Sequence, residues 1–216
     1  MEIKNKSVRG ILRWTQWLLF ACAFVLLGYS GYMVADSWRF QRQANLDLDR
    51  LATGAPSHAD VLQRPVDGAL IGRVVVDRLG ISVAVVEGSE TPSLAHAAGH
   101  IAGTALPGEP GNAGIAAHRD TFFRPLRNVR RDDVIRMITP HGEYRYRVVS
   151  TRIVRPDDVS VLGSDGSEVL TLVTCYPFYY VGAAPDRFIV RAERTGAFPG
   201  APEAAALQPG ADPPHL

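Results

Sequence analysis

With two cysteines in 216 residues, this chain cannot be a disulfide scaffold. Cys22 lies inside a long apolar run and Cys175 far outside it, so the pair cannot bridge. CxxC and HExxH spacings are absent, and no Cys/His ligand cluster stands in their place, so the sequence calls for no metal and no cofactor. A basic block is missing too: 23 Lys+Arg face 22 Asp+Glu for a net charge of +1, which excludes the electrostatic footprint of a nucleic-acid binder. No internal repeat is visible. What the chain does have is a hydrophobic content of 46%, ordinary for a globular protein but unevenly spread.

One segment takes a disproportionate share. Residues 1–16 carry Lys4, Lys6, Arg9 and Arg13 against Glu2, and Trp17–Ala35 then follows as 19 residues without a charge. As a helix that run is about 28 Å long, enough for a bilayer core of about 30 Å. Trp14 and Trp17 at one end and Trp38 at the other match the two aromatic belts of a spanning helix. The basic flank precedes the span, which predicts an N-terminus in the cytoplasm and everything after Asp36 outside. A cleaved signal peptide fits less well, because the run is too long and Met33–Ser37 offers no clean small-x-small site. Leu19-Phe20-Ala21-Cys22 is a poor lipoprotein box, with a large Phe20 and apolar residues continuing beyond it. A buried core helix this apolar on every side is unusual in so small a protein. The expectation is an uncleaved signal anchor.

The remaining segments divide by composition. Residues 36–68 read as a polar extracytoplasmic linker, helical in part over Ser37–Leu51, and residues 196–216 as a disordered Ala/Pro/Gly-rich tail. Between them, residues 69–195 form a domain of short strands: Arg73–Val76 and Ser82–Val86 around Gly80, Val134–Ile138 after an Asp132-Asp133 turn, and the alternating Tyr144–Val149. Seven or eight strands punctuated by Gly, Pro and Asp predict a closed or nearly closed β-barrel, with short helices near Thr91–Ala98 and Thr121–Leu126.

Three strand ends carry chemistry. The apolar run Val169–Val173 delivers Cys175 just before Pro177, which cannot continue a sheet ladder. Gly114–Ala117 ends in His118, and Arg187 opens Phe188-Ile189-Val190. Alone, each has a bland reading, since a lone cysteine ending an apolar strand is more often inert packing. An unpaired thiol outside the membrane is otherwise a liability, which favours a function for Cys175. His100 is the rival base. His58, His96, His141 and His215 read as solvated loop or terminal residues, and Arg119, Arg124, Arg127, Arg130 and Arg131 as a solvated basic face. Asp120 either orients His118, as a triad's third member would, or caps a turn. Asp132-Asp133 and Asp157-Asp158 lack an EF-hand pattern and read as turns.

At these residues the chain resembles a family. Thr171-Leu172-Val173-Thr174-Cys175 is similar to the TLxTC signature of sortases, the membrane-anchored cysteine transpeptidases of bacteria. Gly99–Gly108 resembles the segment before that family's histidine strand, Gly114–Phe123 the histidine motif, and Pro185–Val190 the arginine strand. The motifs come in the family's order over about residues 70–194, and the His118–Phe123 run looks most like class D or the related proteobacterial type. The resemblance implies an eight-stranded barrel with Cys175, His118 and Arg187 as catalytic residues converging on one groove. It also implies cleavage of an LPxTG-like sorting motif through a thioester on Cys175. The donor would be a surface or secreted protein carrying that C-terminal signal, and the acceptor an amine on peptidoglycan, pilin or another molecule, or water. The family's pattern further implies that only a minor population carries thiolate and imidazolium together.

Two other classes fit this sequence less well. An idle barrel serving as a tethered binding module is disfavoured by the intact Cys, His and Arg. L,D-transpeptidases place histidine and glycine just before the cysteine, where this chain has Val173-Thr174, and papain-like enzymes place it at a helix start.

Overall fold

The computed structural model describes residues 6–53, 65–89, 94–180 and 182–195. A single helix, α1, runs from Lys6 to Thr53, 48 residues or about 72 Å at 1.5 Å per residue. The expected boundary between an anchor ending at Ala35 and a looser linker is not a structural break. From Ala35 to Thr53 the sequence holds no Gly or Pro, so nothing ends the backbone hydrogen-bond ladder, and the first breakers are Gly54 and Pro56. The remainder of that linker up to residue 64 and the 196–216 tail lie outside the described residues.

α1 has two environments. Trp14, Trp17, Leu18, Leu19, Phe24, Leu26 and Leu27 are all exposed, and the helix is long and apolar enough to cross a membrane. Beyond Asp36 the helix docks on the barrel. Ala44 and Leu48 are buried, and Phe40 lies with its ring 6.2 Å from that of His96. The Gln41 amide bridges the backbone of a turn and a strand: Nε2 donates to His96 O at 2.7 Å, and Oε1 accepts from Ala84 N at 2.9 Å.

Eight strands follow: β1 Leu70–Val76, β2 Ile81–Glu87, β3 Ala98–His100, β4 Asn112–Ala116, β5 Val134–Thr139, β6 Gly142–Val154, β7 Val169–Tyr176 and β8 Asp186–Arg194. They close into a barrel in the order β1-β2-β3-β4-β7-β8-β6-β5. Short β1–β2 and β5–β6 connections build antiparallel hairpins, the first turning at Gly80, whose φ of 64° is one that L side chains rarely adopt. The β2–β3 and β4–β7 pairs are parallel.

Alternation sends one set of side chains inward. Val74, Val83, Val85, Ile115, Ile135, Met137, Tyr146, Val148, Leu170, Leu172 and Val190 fill the interior, all at 1% exposure or less. Truncating one of the leucines to alanine is a change of about 2–5 kcal/mol. Tyr146 keeps its polar end satisfied by accepting from Gly108 N at 3.1 Å, and burial pushes its phenol pKa up.

The short helices differ from expectation. In place of a helix over Thr121–Leu126 there are turns through Phe123 and a 3-10 segment at Arg124–Asn128, anchored by the buried Phe123 and Leu126. Of the Thr91–Ala98 helix, residues 91–93 lie outside the described residues, Leu94 is helical, and the chain then turns into β3. The acidic pairs sit in turns: Asp132 adopts φ 69°, and Asp158 caps the 3-10 segment Val159–Leu162. Arg78 hydrogen-bonds Asp133 and holds its carboxyl pKa below the ordinary value.

Candidate active site

Topology decides which residues meet. Because β4 and β7 are parallel, their C-terminal ends reach the same rim, and β8, antiparallel to β7, begins there. Ala116 pairs with Val173, Ala117 N donates to Val173 O at 3.1 Å, and Thr174 Oγ1 donates to Ala117 O at 2.8 Å. Carried two residues past its last pair, Ala116 and Val173, that register puts His118 level with Cys175. On the other side Cys175 pairs directly with Arg187, whose next neighbour is Val154 of β6. The three residues therefore form one row across three adjacent strand ends, with neighbouring strands about 4.8 Å apart.

The row lies outside the barrel wall. Leu172 and Thr174 are buried, whereas Val173 and Cys175 are half-buried and belong to the outward-facing set. His118 and Arg187 are half-buried as well. The main chain of His118 is fixed on both sides. Ala117 is tied to β7, and Phe123, wholly buried, donates its N–H to His118 O at 3.2 Å. The side chain is not so held: among the described residues the His118 ring and the Cys175 thiol make no hydrogen bond. Arg187 donates from Nη1 to Asp186 O at 3.0 Å and Ala184 O at 3.3 Å, leaving the rest of its planar fork without a protein acceptor among the described residues.

One row along the same face, Arg152, Ile189, Val173 and Ala116 are cross-strand partners. Beside them opens a cavity of about 200 Å³ lined by Ser150, Arg152, Ser160, Val161, Ile189 and Arg191. Its cover, the Val159–Leu162 turn, rests on β4. A Cβ on Gly114 would come within 3.1 Å of Leu162, so the bare glycine lets that turn sit close. Below the thiol-bearing loop, Phe178 and Phe188 meet edge to face at 5.3 Å and Tyr176 stacks on Phe188 at 6.3 Å.

The other sequence candidates fall elsewhere. His100 is on β3, 2% exposed, with Nδ1 2.8 Å from Glu87 Oε2 and Nε2 2.9 Å from both Ala105 O and Thr104 Oγ1. It is out of a substrate's reach. Asp120 is no partner of His118; its carboxylate is exposed and pairs with Arg119. His96 is half-buried against α1 rather than solvated, His141 is exposed, and His58 and His215 lie outside the described residues.

The solvated basic face needs one correction. Arg124, Arg127, Arg130 and Arg131 are exposed, but Arg119 is 5% exposed. Its guanidinium donates to Pro177 O and Tyr180 O at 2.7 Å and to Gly182 O at 3.3 Å. Loop carbonyls without strand partners require donors, and a guanidinium supplies five. The only sequence signal for this was an arginine directly after the histidine. The aromatic cluster was equally unmarked, apart from Tyr176-Pro177-Phe178 following the cysteine.

Comparison with known proteins bears on the family and the fold. The family model described as "Sortase domain" matches residues 74–195. The chain is 30% identical over 189 residues to sortase D of Bacillus subtilis, covering 82% of this chain and 95% of that protein. It is 26% identical over 176 residues to sortase A of Bacillus anthracis, covering 73% of this chain and 83% of the relative. Among solved structures, a Clostridium perfringens sortase D5 transpeptidase superposes with a TM-score of 0.66 at 25% identity, covering 73% of this chain and 99% of that one.

Proposed function

The chain belongs to the sortase family of cysteine transpeptidases, with class D the fitting class, and on that premise we propose that it cleaves an LPxTG-like sorting motif through a thioester on Cys175 and passes the acyl group to an amine. The observation that carries this reading is the single row His118–Cys175–Arg187 on one rim.

The donor peptide lies along the outward face of β7 and β8, its side chains entering the cavity beside Ile189. The Cys175 thiolate attacks the carbonyl carbon of the scissile bond, and its electron pair forms the C–S bond while the carbonyl oxygen becomes an oxyanion. The unused N–H groups of Arg187 face that oxyanion across one strand spacing and donate to it. Collapse expels the amine, which takes a proton from the His118 imidazolium, leaving acyl-Cys175 and a neutral imidazole. An incoming amine then attacks the thioester, His118 accepts its proton, and the thiolate departs. Thiol and imidazole return to their starting states, and the peptide bond has been exchanged.

α1 serves as a single-pass anchor, with residues before Trp17 in the cytoplasm and the barrel outside. The helix continues into the docked segment, so the barrel is held at a fixed offset from the bilayer rather than on a loose tether. The partners are a surface or secreted protein carrying the sorting signal and a molecule presenting a primary amine.

Incubating the protein with an LPxTG-bearing peptide, without amine, should add the acyl fragment's mass to the tryptic peptide containing Cys175. Adding glycine amides should discharge it into a transfer product. A fragment found on another residue, or transfer with no adduct, would overturn the assignment. For the anchor, external protease on intact cells should remove the barrel and spare a short N-terminal piece; a soluble, N-terminally trimmed chain would refute it.

A further inference from the structure

Among the described residues Arg119 makes no hydrogen bond to the side chains of the three row residues, yet it ties the turn that carries His118 to the loop between Cys175 and Arg187. It follows His118 directly, and its guanidinium lies against a loop that starts just after Cys175 and ends just before Arg187. Three carbonyls of that loop, Pro177, Tyr180 and Gly182, converge on it. Among the described residues no main-chain loop hydrogen bond reaches those carbonyls, and Arg119 is the side chain that donates to them. Its planar face also lies 5.9 Å from the Tyr180 ring, and its exposure is 5%. Asp120 pairs with Nε from the solvent side.

Such a clamp has a consequence for the row. β4 and β7 are tied up to Ala117 and Thr174, and β7 and β8 pair up to Tyr176 and Asp186. Cys175 and Arg187 thus lie inside the β7–β8 ladder, whereas His118 lies past the end of β4; among the described residues the hydrogen bonds from the histidine turn to the β7–β8 loop come from Arg119, with Arg127 adding a ring contact to Tyr179 at 5.6 Å. We propose that Arg119 is a positioning residue, fixing the His118 turn against the β7–β8 loop so that imidazole, thiol and guanidinium keep one spacing. The proposal rests on the catalytic reading above. Lysine cannot replace it fully, because one ammonium lacks the planar fork that reaches three carbonyls.

The test uses the full-length protein, the variants R119A and R119K, and a quenched peptide carrying an LPxTG motif. R119A should lower kcat by about 10- to 100-fold, the scale expected of a small misplacement of reacting groups. KM and the fraction folded should stay near wild type, with R119K between. Millimolar methylguanidinium should restore part of the R119A rate, which a purely structural loss would not allow. Amide exchange at Phe178, Tyr179, Tyr180 and Gly182 should speed up in R119A and slow again with methylguanidinium, a readout independent of any peptide. Unchanged kcat, a rate loss that tracks unfolding without rescue, or unchanged exchange would each overturn the proposal. C175A run alongside keeps the two readings apart. If C175A cleaves the peptide, the catalytic reading falls; if wild type works through Cys175 and R119A works equally well, only the role of Arg119 falls.

Discussion

Two histidines of contrasting character sit at the ends of neighbouring strands of this barrel. His100 on β3 is 2% exposed and has an oxygen within 2.9 Å of each ring nitrogen. His118, at the end of β4, has a fixed main chain and a half-buried ring with no partner among the described residues. The first region uses a polar side chain to hold structure: His100 joins Glu87 to the Thr104–Ala105 loop, and Thr104 in turn donates to Ile101 O and accepts from Gly114 N. The second leaves a polar side chain unspent on a backbone that cannot drift. A buried polar group must be satisfied, whereas one at a rim can stay open for a substrate. The difference teaches that, among polar residues of one type, the one that the fold positions without bonding is the one left open to act on a substrate, the role proposed for His118.

The largest expected effect is on the rim. C175A should abolish peptide cleavage to below detection and leave thermal stability near wild type, while C22A, on the exposed part of α1, should change neither. Activity in C175A would break the comparison at its root. Next is Arg187, whose bonds among the described residues go to the nearby Ala184 and Asp186 carbonyls and whose remaining donors have no acceptor there. R187A should lose about 100- to 1000-fold in rate, the usual cost of one oxyanion donor, and R187K should keep more. If R187A instead unfolds, its carbonyl contacts are what matter and Arg187 belongs with His100.

The buried region should answer in stability. H100A leaves the Glu87 carboxylate, 16% exposed, without its partner, and should cost about 2–4 kcal/mol in denaturant unfolding, with any loss of activity following the folded fraction. Normal stability in H100A would show that the satisfied histidine holds nothing. A smaller effect belongs to Asp133, also satisfied, through Arg78 and the Arg130 N–H. Its pKa is lowered in the folded state, chiefly by the hydrogen bond from Arg78. A lowered folded pKa gives stability that is present above the unfolded carboxylate value, about 3.9, and is lost as pH falls through the folded one. D133N should therefore be less stable than wild type at neutral pH, and the difference should shrink below about pH 4. A gap that widens in acid would contradict the lowered pKa.

How much of this was legible in the chain depends on sequence distance. Cys175, His118 and Arg187 each end or open an apolar run, so local pattern alone placed them at strand ends, and the family likeness supplied their pairing. The barrel was legible for the same reason, since alternation and Gly/Pro/Asp turns are local signals. β3, only three residues long, carries too little pattern to register as a strand. Arg119 was unreadable because its acceptors lie 58 to 63 residues away in sequence, and an arginine among four exposed ones looks like all the rest. The docking of α1 was hidden likewise: Ala44, Leu48 and Gln41 sit in a polar stretch, and only the fold brings Ala84 and the His96 carbonyl to them.

The smallest expected effect is the sharpest test of the unbonded histidine. If His118 and Cys175 formed a stable thiolate–imidazolium pair, removing the imidazole would strip the thiolate of its counter-charge and slow its alkylation severely. No hydrogen bond joins them among the described residues, and in the proposed mechanism the imidazole serves the proton transfers of the reaction rather than the resting thiol. H118A should therefore lose most transpeptidation, about 100- to 10,000-fold as for loss of a general acid–base, yet alkylate with iodoacetamide within about threefold of wild type across pH 6–9. H100A, corrected for its folded fraction, should match wild type in both assays. The decisive quantity is the ratio of the two losses in H118A. A large ratio places the histidine's role in moving protons during turnover. A ratio near one, with alkylation falling as far as transfer, would show that the thiol depends on the ring before substrate arrives, and the contrast between a bonded and an unbonded histidine would give way to two histidines that each hold a partner.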